Sequence, residues 1–182
     1  PESQYARSGF AIAGHYMETL GVAGFQDVAW DLYEDGSRGH IFDEALERLG
    51  VPFDESLIRH LVEIFRDHEP VIHLHEDAEW ILKRYRGLRH MALITDGIAQ
   101  AQRKKIRALD LARYLDPILC TDEIGCPKPE TGAFQQIMDL YGGDPEEYMY
   151  IGDNPSKDFY PGNRLGWRTA QILRADGVYR GL

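Results

Sequence analysis

Hydrophobic periodicity changes character once along this chain, near Leu74 and His75, and that change limits the folds open to it. Before it, apolar residues recur only at helical spacing. Phe42, Ala45, Leu46 and Leu49 fall at i, i+3, i+4 and i+7, and Gly50 supplies a stop before Val51-Pro52. Asp54 reads as the N-cap of the next helix, where Leu57, Ile58, Leu61, Ile64 and Phe65 form one stripe that Glu69-Pro70 ends. The stretch from Tyr5 to Tyr33 reads as two further helices parted around Gly21 to Gly24, with Asp35-Gly36 as a turn. No strand pattern occurs in this part.

After His75, short apolar runs alternate with helices. The runs are Met91 to Ile94, Pro117 to Cys120, Met149 to Ile151 and Thr169 to Leu173. Helical patterns lie at Ala78 to Tyr85, at Ile98 to Leu109, around Phe134 to Tyr141 with Gly142-Gly143 as the stop, and briefly after Pro161. Continuous apolar strands separated by helices predict an α/β arrangement, a parallel sheet covered on both faces. The expected organisation is an all-helical domain over residues 1–75 and an α/β domain over 76–182.

Charge and composition exclude several partners. Lys+Arg number 20 against 30 Asp+Glu, a formal net charge of −10, which disfavours nucleic acid and anionic membrane surfaces. No stretch approaches the ~20 apolar residues of a membrane span, and no basic-then-apolar leader opens the chain, so the expected location is cytoplasmic. Cys120 and Cys126 are too few for a disulfide framework and read as reduced thiols. Oligomeric state leaves no trace.

Chemistry concentrates where the apolar runs end. Thr95-Asp96-Gly97 places a hydroxyl, a glycine and free backbone N–H groups between a strand and a helix start, where an anion can be held. Lys128-Pro129 follows the second run, and the proline helps aim the ammonium. Asp153 and Asp158 follow the third, two carboxylates suited to a hard divalent cation. Taken singly, these have plainer readings: an N-cap, a solvated charge, a turn and a helix cap.

Order and spacing make them a set. Lys128 lies 33 residues after Thr95, Asp153 lies 25 after Lys128, and Asp158 five further on. In Leu93-Ile94-Thr95-Asp96-Gly97, Lys128-Pro129-Glu130 and the run Ile151-Gly152-Asp153-Asn154-Pro155-Ser156-Lys157-Asp158, the chain resembles the haloacid dehalogenase (HAD) superfamily in its second, third and fourth motifs. The resemblance implies a Rossmann-like core with the helical part as the family's cap. It implies a Mg²⁺-dependent phosphatase of a small phosphorylated metabolite, working through an aspartyl-phosphate. Thr95 and the N–H groups of Asp96 and Gly97 would hold phosphoryl oxygens, Lys128 would offset negative charge, Asp153 would bind Mg²⁺, and Asp158 would bind it or its waters.

One departure matters. The family's first motif, a strand followed by Asp-x-Asp-x-Thr that carries the nucleophile and general acid, occurs nowhere in residues 1–182. In the family's sheet order that strand lies between Met91 to Ile94 and Met149 to Ile151. The expectation is therefore a fragment cut just after its first motif, inactive as it stands. A metal-free dehalogenase and a non-catalytic binding or regulatory domain are the alternatives. Of the remaining residues, His73 and His75 read as a strand returning to the second domain and Trp30, Trp80 and Trp167 as packing residues. Arg103, Lys104, Lys105, Arg107 and Arg113 read as the wet face of a helix.

Overall fold

The computed structural model describes residues 2–174. The chain divides into two compact units, Pro1–His73 and Leu74–Leu182, two residues earlier than the periodicity suggests.

The first unit is all helix: α1 (Glu2–Thr19), α2 (Phe25–Glu34), α3 (Ile41–Arg48) and α4 (Glu55–Asp67). Each helix contributes its apolar stripe to one core, in which Phe10, Met17, Phe25, Leu32, Leu46 and Leu61 are all within 2% of complete burial. The ends obey local chemistry. Asp54 accepts a hydrogen bond from the Leu57 N–H at 3.0 Å and so caps α4. Gly50, at φ +65°, closes α3 with Val51 N–H donating to the Leu46 carbonyl, a turn that a side chain would strain.

The second unit is α/β, with α5 (Glu76–Tyr85), β1 (Leu93–Thr95), α6 (Ala99–Ala108), β2 (Ile118–Cys120), α7 (Thr121–Ile124), α8 (Gly132–Tyr141), β3 (Met149–Gly152), α9 (Phe159–Arg164) and β4 (Arg168–Gln171). All strand pairing is parallel. β1 pairs with β2 in the register Leu93↔Ile118, and β3 with β4 in the register Met149↔Arg168. Among the described residues these are two separate ladders.

What bridges the ladders is α8. Phe134 and Ile137 from that helix share one buried cluster with Ile94 of β1 and with Trp167, and Tyr150 of β3 packs against it. Between β1 and β3 runs a groove of 1240 Å³ lined by Ala92, Ile94, Ile137, Tyr148, Met149 and Trp167 among others. Backbone hydrogen bonds show which way each strand edge faces. Leu93 N–H donates to Pro117, while the carbonyls of Tyr148 and Gly152 accept from Arg168 and Ile172. In parallel pairing successive residues direct their backbone groups to opposite edges, so Ile94, Met149 and Ile151 direct theirs away from their ladder partners. The Trp167 indole N–H, buried and lining the same groove, has no hydrogen-bond partner among the described residues.

Several expectations need correction. Residues 71–75, with His73 and His75, form no strand; His75 instead stands just before α5. Trp80 is 62% exposed, so it is not a packing residue, unlike Trp167 at 7%. Lys104, expected on a wet face, is buried. The helix α7 was not foreseen, because four residues are too few to show a period.

Candidate active site

The strand ends place three loops together. Residues 95–97 leave β1, Lys128 lies in the segment between α7 and α8, and residues 153–158 leave β3. Lys128 is the hub. Its ammonium is 2.5 Å from Asp158 Oδ1 and 3.1 Å from the Tyr150 hydroxyl. Both ionic side chains are nearly closed off from solvent, 11% exposed for Lys128 and 3% for Asp158. Burial by itself lowers the lysine pKa, but the Tyr150 hydroxyl and the Asp158 carboxylate outweigh it and hold the ammonium well above the ordinary lysine range. The Tyr150 phenol is pushed up, by burial first, with Lys128 opposing.

Asp158 owes its place to Gly152. A Cβ on that residue would collide with the Asp158 carboxylate, so the strand can pass beneath the acid only where it has no side chain. The second carboxylate oxygen accepts the Asn154 N–H at 3.0 Å, and Asp158 N–H donates to the Asn154 carbonyl at 2.9 Å. Both oxygens of Asp158 are thus engaged by the protein. Asp153 is different: it is exposed at the end of β3 and has no hydrogen-bond or ion-pair partner among the described residues.

Asp96 does more than offer its backbone. Its Oδ1 accepts from the Thr121 hydroxyl at 2.7 Å and from Lys128 N–H at 3.2 Å, so it ties the β1 loop to the two segments that follow β2. Lys157 brings a half-exposed ammonium to 4.0 Å from Asp96 Oδ2. Thr95 donates its hydroxyl to Gln102 Oε1 at 2.9 Å. Gly97 follows at φ +108°. The first turn of α6 is satisfied from outside, Ala99 N–H donating to Asp122 Oδ2 at 2.9 Å.

Asp96, Lys128 and Asp158 are therefore linked by hydrogen bonds, Thr95 joins them through its carbonyl, which accepts from the Thr121 hydroxyl at 3.3 Å, and Asp153 adjoins Asp158 in sequence as a carboxylate without a partner among the described residues. Sequence reasoning missed Tyr150, Gln102, Thr121 and Asp122. Tyr150 had a discoverable signal, since it stands two residues before Gly152 and alternation puts both on one face of the strand. The other three left none. Among the described residues no three His, Cys, Asp or Glu side chains gather as a ready-made metal cage. Magnesium does not need one, because it is often held by one or two carboxylates with phosphate and water, and the free Asp153 fits that donor set.

Comparison with known proteins bears on this geometry. The family model described as haloacid dehalogenase-like hydrolase matches residues 3–166. A phosphoserine phosphatase of Thermus thermophilus is 34% identical over 139 residues, covering 75% of this chain and 55% of that protein. A glyceraldehyde 3-phosphate phosphatase of Methanocaldococcus jannaschii is 28% identical over 146 residues, covering 78% of this chain and 62% of its own. The chain thus spans little more than half the length of these curated relatives. Among solved structures, a HAD-superfamily hydrolase from Geobacter sulfurreducens superposes with a TM-score of 0.66 at 15% identity, covering 93% of this chain and 80% of that one. A putative HAD-hydrolase from Bacillus subtilis bound to magnesium gives 0.60 at 17% identity, covering 90% and 79%. At such identities these two establish the fold alone. No helix among the described residues is long and apolar enough to cross a membrane.

Proposed function

Because the chain belongs to the haloacid dehalogenase-like hydrolases, we propose that it forms the helical cap and most of the catalytic core of a Mg²⁺-dependent phosphatase acting on a small phosphorylated metabolite. The observation that carries this reading is the buried Lys128 ammonium, fixed by Asp158 and the Tyr150 hydroxyl while its main-chain N–H is held by Asp96, with Asp153, unpartnered among the described residues, on the same loop as Asp158. A cation held in a site closed to water offsets phosphoryl charge far better than one in bulk solvent. The names of the relatives, phosphatases of phosphoserine and glyceraldehyde 3-phosphate, support the substrate class.

Each residue then has a task. Lys128 neutralises charge on the phosphoryl group and on the attacking carboxylate. Thr95, released from or shared with Gln102, and the N–H groups of Asp96 and Gly97 hold phosphoryl oxygens. Asp153 would hold Mg²⁺; bound there, the ion would supply positive charge and orient the phosphoryl group. Asp158, expected to reach the metal or its waters, is better employed in fixing Lys128, since both its oxygens already have protein partners. The nucleophilic aspartate would be carried by an extended segment seated between β1 and β3, where Ile94 and Met149 line the groove and direct backbone groups away from their ladder partners.

The test is phosphate release from p-nitrophenyl phosphate by the full-length natural protein, with and without Mg²⁺. Turnover that needs Mg²⁺ is expected, with residues 1–182 alone inactive. Metal-independent release of halide from a 2-haloacid, without phosphatase activity, would replace this reading with the dehalogenase.

A further inference from the structure

Tyr150 occupies the centre of β3 with its ring against Phe134, centroids 4.8 Å apart, and with Gly162 close to its Cβ. That packing leaves the ring little freedom. The hydroxyl emerges beside the Lys128–Asp158 pair, 3.1 Å from the ammonium and 3.4 Å from Asp158 Oδ1, so three groups from two loops and a strand close a triangle. A lysine stem is long and flexible, and its ammonium is a point charge without the fixed fork of arginine. One carboxylate restrains such a group in distance but leaves it free to swing about that contact. A second acceptor on a rigid ring removes the swing.

We propose that Tyr150 is a positioning residue: its hydroxyl, together with Asp158, holds the Lys128 ammonium in a single orientation, so that oxyanion binding at the loop cluster depends on a phenol that does not touch the oxyanion. The proposal rests on reading the cluster as a phosphoryl site, and it adds a requirement to that reading. If Tyr150 served only packing, its ring would matter and its oxygen would not.

Tyr150→Phe separates the two, because it keeps the ring and removes the oxygen. On the natural protein labelled with ¹⁵N-lysine, proton exchange of the Lys128 ammonium should be slower than that of the exposed Lys83 by about tenfold. It should accelerate by about tenfold in the variant, the scale of one hydrogen bond to a charged group. Tyr148→Phe, which deletes a hydroxyl bonded to the Gly142 carbonyl, should leave it unchanged. Inorganic phosphate titrated with Mg²⁺ should bind the Tyr150→Phe chain about tenfold more weakly than the unaltered one.

Equal exchange rates with and without the Tyr150 oxygen would overturn the proposal, as would unaltered phosphate affinity in the variant. Should the variant not fold, the unaltered chain still decides, since Lys128 exchanging as fast as Lys83 contradicts a fixed ammonium. An unaltered chain that binds no phosphate but shows the predicted exchange pattern would count against the phosphoryl pocket, with the positioning of Lys128 upheld.

Discussion

The helical unit and the α/β unit solve the same problem with different means. In the first, each helix bonds most of its backbone within itself and its ends to nearby residues, and four stripes close a core in which Ala13, Ala29, Ala45, Leu46 and Leu61 have no exposure. In the second, each three- or four-residue strand depends on neighbours distant in sequence, and β1 and β3 each have a partner on one edge only among the described residues. Helices are locally self-sufficient; strands are not. The same dependence that leaves a groove between β1 and β3 also brings three loops to one place, because parallel strands deliver their C-terminal ends to the same rim.

Perturbations of each unit sharpen that contrast. The largest effect is expected at the ionic pair. Asp158→Ala leaves the Lys128 ammonium buried and unpaired and should destabilise the α/β unit by about 3–5 kcal/mol, whereas Lys128→Met with Asp158→Leu should recover much of it. Urea unfolding of the three chains tests this, and a single variant as stable as the parent would sink it. Leu46→Ala, in the helical core, should cost about 2–5 kcal/mol through lost burial and a cavity. It should leave the Lys128 ammonium signal where it was; a moved signal would show that the two units do not behave as separate cores.

Gly152→Ala comes next, at about 1–3 kcal/mol, because the added methyl meets the Asp158 carboxylate. Thermal melting that is unchanged by this substitution would mean that the acid is free to move aside. In residues 1–182 alone, amide hydrogen exchange separates the edges of one strand: N–H groups of Met149 and Ile151 should exchange far faster than Tyr150, and uniform protection along β3 would be wrong for this arrangement.

The smallest effect belongs to the Asp54 cap. Its carboxyl is held below the usual range, first by the Leu57 N–H and then by Ser56. A lowered folded-state pKa gives stability that is present above the unfolded value of 3.8 and is lost as pH falls through the folded one. Asp54→Asn, which keeps a neutral cap, should therefore narrow its melting-temperature gap from the parent as pH drops below about 4. A gap constant with pH would contradict the assignment.

What was legible in the sequence tracks this same division. The stripe from Leu57 to Phe65 and the Asp54 cap depend on residues a few positions apart, so α4 could be read with its start correct. The strands could be placed to within two residues, since short apolar runs have visible ends while pairing partners do not. Thr95, Lys128, Asp153 and Asp158 could be named because their spacing resembles a known pattern. Their partners could not. Thr121 reaches Asp96 across 25 positions and Tyr150 reaches Lys128 across 22, and no local period connects residues so far apart. Trp80 and Lys104 were misjudged for a related reason: burial is decided by which element lies opposite, and chemical type alone does not reveal it.

The account turns on the three loops forming one pocket for a phosphoryl group and a magnesium ion. A crystal structure of the full-length natural protein with Mg²⁺ and tungstate, a phosphate mimic, addresses it directly. The expected result is one oxyanion hydrogen-bonded to Thr95 and the Lys128 ammonium, with the metal about 2.1 Å from an Asp153 oxygen. Tungstate bound elsewhere, or a metal that ignores Asp153, would contradict it.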